Sequence, residues 1–253
     1  MEKLSDRDFW DEEWKKENRQ SEEKFIKNYI FNPLFQKYLP YGGTLLEVGC
    51  APGTIMANFS INFGYHVTGI DYSSCAIVKE TLSRHNISDY ELYEVDFTEF
   101  QTDLKFDVVC SFGLVEHFTD YNGIIQKHAS LVKENGYVII EVPNIRYFNY
   151  LLFRIFNPKL LKLHNLKIME KNEISRAIRA LPDFEILYCN YYKSCFLFFN
   201  SENSELTSRP ILKKSITAVK WLFQKLGLEK IPNKYFSPYL VLIAKRSNKD
   251  NLD

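Results

Sequence analysis

Glu47, Gly49, Ala51 and Gly53 fall within one short run, EVGCAPG. Small residues at that spacing let a backbone approach a ligand closely, and the start of a following helix offers free N–H groups. The run is not the dinucleotide fingerprint GxGxxG: the spacing is Gly49-x-Ala51-x-Gly53, with Glu47 just before it. Asp71 stands 22 residues beyond Gly49, where a carboxylate at a strand end accepts hydrogen bonds from ribose hydroxyls. Asp96 and Phe97 pair an acceptor with a ring, which suits the amine and the face of an adenine. Ser111-Phe-Gly-Leu-Val-Glu-His117 makes a fourth junction of small and polar residues. His117 is the first candidate catalytic base, because an imidazole near neutral pKa is suited to take a hydroxyl proton. The alternative is a helix-start histidine that packs or bonds to backbone. Glu116 reads as a solvated or capping carboxylate. His164 is the second candidate base and an acceptor contact, or simply a loop histidine. Arg146, with Tyr147 beside it, is the cation expected to hold an anionic acceptor such as a phosphate or a sugar acid.

Alternating apolar runs and amphipathic stretches must position these residues. Strands are expected at 44–49 (TLLEVG), 65–71 (YHVTGID), 90–95, 106–111 (FDVVCS) and 136–142 (GYVIIEV), with helices at 54–63, 74–85 and 120–133. Strands alternating with helices imply βαβ units and a parallel sheet buried on both faces. The runs LL, VV and VII suit such strands. Beyond Pro143 the rhythm changes. Residues 144–169 are aromatic-rich and irregular, followed by a helix at 171–181 and strands at 184–192 and 239–245. Between those strands, residues 210–226 carry apolar side chains at helical spacing and Lys213, Lys214, Lys220 and Lys225 opposite them. A helix packed on the sheet with a solvated lysine face is preferred there over a membrane-surface helix.

Composition bounds the class. The 253 residues are 45% hydrophobic and 25% charged, enough for a packed core, with 32 basic and 32 acidic side chains. Zero net charge argues against a protein whose main task is to grip nucleic acid. The five cysteines, Cys50, Cys75, Cys110, Cys189 and Cys195, form no CxxC pair, and no Cys/His cluster has zinc-ligand spacing, so no metal is expected. Scattered thiols and a charged N-terminus without an apolar core point to a cytoplasmic protein. No stretch is apolar enough for a transmembrane helix, and peripheral membrane contact is not favoured.

With its motifs in this order, the chain resembles the class I S-adenosylmethionine-dependent methyltransferases. The residues that carry the resemblance are Glu47–Gly53, Gly69-Ile-Asp71, Asp96-Phe97, 107–117 (DVVCSFGLVEH) and 136–143. One departure is Ala51, where the commonest pattern has glycine. The resemblance implies a single doubly wound, Rossmann-like domain over 1–253 with sheet order 3-2-1-4-5-7-6, the last strand antiparallel. It implies S-adenosylmethionine as cofactor and S-adenosylhomocysteine as product. Glu47, Gly49, Cys50, Ala51 and Gly53 would border the methionine part, Asp71 and Tyr72 the ribose, and Asp96 and Phe97 the adenine. Ser111, Phe112 and Gly113 would lie near the amino-acid portion or the reactive methyl. Residues 1–40 would form a helical cap in which Trp10 lies over the cofactor; Trp10 and Trp14 serve equally as a staple of that helix to the core. Residues 144–170 and 193–238 would form a substrate-side lid. The fourth junction lacks the N/D-P-P-Y/F sequence of methyltransferases acting on adenine or protein amides. The expected acceptor is therefore small and polar, methylated on oxygen or nitrogen: a sugar, a nucleotide-linked sugar or a phosphoryl-type group. Two alternatives stand beside it, an NAD(P)-dependent oxidoreductase and a non-catalytic cofactor-binding partner protein.

Overall fold

The computed structural model describes residues 2–16, 22–156, 158–193 and 231–247, with positions 218, 221, 225 and 227 between the last two segments. Among the described residues, seven strands form one sheet in the order β3-β2-β1-β4-β5-β7-β6. They are β1 (Gly43–Val48), β2 (Tyr65–Asp71), β3 (Tyr90–Glu94), β4 (Phe106–Phe112), β5 (Val132–Pro143), β6 (Phe184–Tyr192) and β7 (Tyr239–Arg246). The first five pair in parallel, and β7 runs antiparallel to both β5 and β6. The expected order and the reversed last strand are both present.

Side chains alternate across this sheet, and the alternation divides the core in two. On one face Leu46, Val109, Ile140 and Leu242 pack with Ile124 and Ile125 of α6 (Tyr121–Ser130) and with Ile174 and Ile178 of α9 (Lys171–Arg179). On the other, Leu45, Val108, Ile139 and Ile243 meet Phe35 of α3 (Asn32–Tyr38), Met56 and Phe59 of α4 (Thr54–Phe63) and Leu82 of α5 (Ala76–Arg84). Strands with apolar groups on both faces read as unbroken hydrophobic runs, which is why LL, VV and VII mark them. The N-terminal part adds α1 (Arg7–Lys16) and α2 (Glu22–Lys27).

The largest departures from the sequence reading fall around β5 and beyond it. The helix expected to reach residue 133 ends at Ser130, and β5 starts at Val132, opposite Phe106 across an irregularity in register. The stretch 144–169, read as irregular, holds α7 (Tyr147–Phe156) and α8 (Pro158–Lys162). Its crowded aromatics masked a helical repeat in which Leu152 is buried and Leu151 and Ile155 face outward; Pro158 fits the first position of a helix. Most of the lysine-bearing helix expected at 210–226, and most of the lid expected at 193–238, lie outside the described residues. Among the described residues, no helix is long and apolar enough to cross a membrane.

Candidate active site

The C-terminal ends of β1 to β4 open into one cavity. Gly49, Ala51, Asp71 and Tyr72 wall it from β1 and β2, with Asp96 and Phe97 after β3. Phe112, Gly113 and His117 close it after β4, and Trp10 and Trp14 of α1 cover it. Four expected residues do not reach its surface: Glu47, Cys50, Gly53 and Ser111 are buried behind it.

The loop after β1 owes its shape to backbone that only glycine adopts easily. Gly49 has φ +75°, and a Cβ on it would stand 3.0 Å from the Leu114 side chain; Gly53, at φ +95°, caps α4. Ala51 needs no such freedom, since its φ is not positive, so a methyl group is tolerated where the commonest pattern has glycine. Asp71 then clamps the loop. Its Oδ2 accepts the Ala51 N–H at 2.9 Å, and its Oδ1 accepts the Ser73 N–H at 2.8 Å and the Ser73 hydroxyl at 2.6 Å. A carboxylate has about four acceptor sites, so one remains for a ligand hydroxyl.

An N-terminal strap, which the sequence reading missed, lies across the side of the cavity formed after β2 and β3. Lys3 is ion-paired with Asp96 and stands 3.8 Å over the Tyr72 ring. Burial pushes the Asp96 carboxyl up, but Lys3 and Thr98 together hold it below its ordinary range. The strap is stitched to the turn after β4: the Leu4 N–H donates to the His117 carbonyl at 2.8 Å, and Lys3 bridges Phe118. Next to it Trp10 stacks on Trp14 at 5.6 Å and donates its indole N–H to Ser5. Trp10 and Trp14 thus stack on each other and line the cavity at once.

The side of the cavity after β4 is built differently. His117 is 5% exposed, and its Nδ1 lies 2.7 Å from the Leu163 carbonyl. A carbonyl only accepts, so Nδ1 carries the proton and Nε2 keeps a bare lone pair. Burial, reinforced by neighbouring His164, pushes His117 down to about 3. Burial thus moves His117 away from the near-neutral value that a base role expects. His164 does not line the cavity, but its ring lies 4.5 Å from that of His117. Glu116 is not a solvated cap: it is 1% exposed, with Oε2 lacking a hydrogen-bond partner. Burial, then the nearby Glu141, pushes it well above the carboxylate range. Sequence reading missed Glu141, which sits in β5 among apolar residues and is pushed up to about 8 by burial. Glu47 is raised in the same way, by burial and then by Asp71.

Arg146 lies apart from the main cavity. It pairs with Glu170 at 2.6 Å and, with Tyr147, lines a separate shallow cleft. Glu116, His117 and His164 place their ligand atoms within 4.8 Å of one another. No spacing rule could find this group, because one member comes from a segment far along the chain.

A family described as "Methyltransferase domain" matches residues 17–233. A ubiquinone biosynthesis O-methyltransferase of Glaesserella parasuis serovar 5 is 30% identical over 176 residues, 62% of this chain and 74% of that protein. Of two other curated relatives the chain spans 32% and 63%. Among solved structures, coclaurine N-methyltransferase bound to N-methylheliamine and SAH superposes with a TM-score of 0.58 at 15% identity, over 90% of this chain and 71% of that one. The [4+2]-cyclase SpnF also superposes at 0.58, with 17% identity over 85% of this chain and 79% of its own. At those identities the structural likeness speaks for the fold alone, and the two titles name different chemistries.

Proposed function

The chain belongs to the family built on this methyltransferase domain, and on that premise we propose that it moves the methyl group of S-adenosylmethionine to an oxygen of a small hydroxyl acceptor. The observation that carries the reading is the single cavity at the ends of β1 to β4, where Gly49, Asp71, Asp96, Phe97 and His117 meet. The residues present fit that cofactor. Gly49 and Ala51 leave backbone exposed where a methionine portion would lie, and the one open acceptor site of Asp71 suits a ribose hydroxyl. Asp96 and Phe97 offer an acceptor and a ring face to adenine, once Lys3 gives way. When bound, the sulfonium supplies an activated methyl and its own leaving group. The chain's part is then alignment: the loop clamped by Asp71 orients one reactant, and the buried face around His117 positions the other and excludes water.

A hydroxyl acceptor is preferred to an anionic one. The cavity wall around His117 is otherwise Phe112, Gly113, Leu114 and Phe118, with no guanidinium among the described residues there to hold an anion, while Arg146 is engaged by Glu170 outside the cavity. A sugar hydroxyl, the acceptor class expected from sequence, meets this description, and so does a phenolic one. The glycine spacing speaks against the oxidoreductase alternative.

Thermal unfolding with candidate ligands tests the cofactor. S-adenosylmethionine and S-adenosylhomocysteine are expected to raise Tm, a ligand at about 100 times its Kd adding about 2.7 kcal/mol, and NAD and NADP to leave it unchanged. No shift with either sulfur compound at millimolar concentration would sink the reading. S-adenosylhomocysteine release across a panel of sugar and phenolic alcohols then identifies the acceptor; binding without turnover on any of them would support the non-catalytic alternative.

A further inference from the structure

We propose that Glu116, His117 and His164 form a site for one divalent transition-metal ion of the zinc class, at the acceptor wall of the cavity. The three ligand atoms lie within 4.8 Å of one another, with Glu116 Oε1 3.8 Å from His117 Nε2. Small side-chain rotations would bring such a set around one ion. Two imidazoles and a carboxylate with an open fourth position make the donor set of catalytic zinc, and imidazole nitrogen selects against magnesium and calcium.

Three independent features show that the group is built rather than accidental. The His117 ring is fixed by its Nδ1–H on the Leu163 carbonyl, which turns Nε2 toward Glu116; metal-binding histidines are held by outer partners in this way. The segment bearing His164 is stitched to the turn bearing Glu116 and His117. The Asn165 N–H donates to the Glu116 carbonyl at 2.6 Å, and the Asn165 amide to the Phe118 carbonyl at 3.2 Å. Finally, Glu116 is 1% exposed, and its Oε2, the oxygen beside the one that faces His117, is buried and finds no donor. A buried acceptor without a partner is costly, and a cation would satisfy it.

The site borders the main cavity, because His117 lines it. Resting on the methyl-transfer reading, the fourth position would take the acceptor oxygen. Its hydroxyl proton would pass to solvent as the metal lowers its pKa; the O–C bond would then form as the C–S bond breaks, with the electron pair leaving on sulfur. His117 would thus be a ligand, which accounts for a buried imidazole, held by its outer nitrogen, at the acceptor wall.

The test uses the full chain, stripped with a chelator and titrated with Zn2+ alone, without sulfur cofactor. Bound metal is measured by mass spectrometry after gel filtration and by competition with a chromogenic chelator. One equivalent is expected. Glu116→Gln, His164→Ala and His164→Gln should each weaken it at least about 100-fold, with circular dichroism unchanged. Co2+ in the wild type should show the visible absorption of a low-coordinate nitrogen–oxygen site, lost in the His164 variants. No stoichiometric zinc, or equal affinity in folded His164→Ala, overturns the proposal. S-adenosylhomocysteine binding, measured separately by calorimetry, keeps the two readings apart: zinc bound without it removes the methyl-transfer reading alone, and it without zinc removes the metal site alone.

Discussion

The ends of β1–β3 and the ends of β4–β5 lie along the same edge of one sheet, yet they treat their carboxyl groups in opposite ways. On the first side, Asp71 accepts three hydrogen bonds, Asp96 is paired with Lys3 and accepts the Thr98 N–H, and Glu94 is shared between Arg7 and the Cys75 N–H. On the second, Glu116 and Glu141 are buried with an oxygen each unpartnered, as is the Ser111 hydroxyl. Glu47, under the first loop, is the exception on its side. Satisfied carboxylates make a rigid, preformed cradle. Unsatisfied ones store an unfavourable term that a ligand or a metal can relieve. Under the proposed methyl transfer, the first half would hold the constant ligand and the second the acceptor.

The largest expected effect breaks this comparison through pH. Folded Glu141 holds its proton up to about 8, whereas the unfolded chain releases it near the ordinary value of about 4.3. Between those values the folded state binds more protons, so stability falls as pH rises through that window and levels off above it. Spread over roughly three and a half units, the loss is on the order of 5 kcal/mol. Glu141→Gln should remove that part of the slope. Urea unfolding of the metal-free protein at pH 5 and pH 8 reads it, and equal slopes in variant and wild type would show that Glu141 is relieved in solution.

Next, Asp71→Ala should loosen the cradle itself. Its loss strands the Ala51 and Ser73 N–H groups, for a cost of about 2–4 kcal/mol of stability. The Kd for S-adenosylhomocysteine should rise about tenfold or more. Calorimetry on a folded variant with unchanged affinity would reduce Asp71 to a strand-end residue. Lys3→Ala gives the smallest effect and sharpens the picture. Freed from its ion pair, Asp96 should accept adenine more readily, tightening binding by no more than about fivefold, since partly exposed pairs are weak. The gain should shrink as salt is raised. Weaker binding in that variant would instead make Lys3 a ligand contact.

The alternating core was plain in the sequence, because strands buried on both faces leave continuous apolar runs and βα turns need small residues at fixed places. Thus β1 to β5 as parallel strands, with Gly49, Asp71, Asp96 and Phe97 at their ends, follow from local pattern, while the strand order came only with the family resemblance. The helical spacing of Trp10 and Trp14 gave only a staple, and a cap came from the resemblance. The strap carrying Lys3 gave no local sign: a lysine near a terminus looks solvated until a partner across the fold is known. Glu116 looked like an exposed cap for the same reason, and Glu141 vanished inside an apolar strand.

Sequence alone therefore determined the sheet, its parallel half and the small-residue loops that open its edge, since periodicity and backbone conformation are properties of neighbouring residues. Tertiary structure alone decided which carboxyl groups lose water. It alone pinned the His117 ring on Leu163, brought His164 against it and turned Arg146 to Glu170. Desolvation and long-range pairing depend on what the rest of the chain brings to a point in space, and no local spacing encodes that.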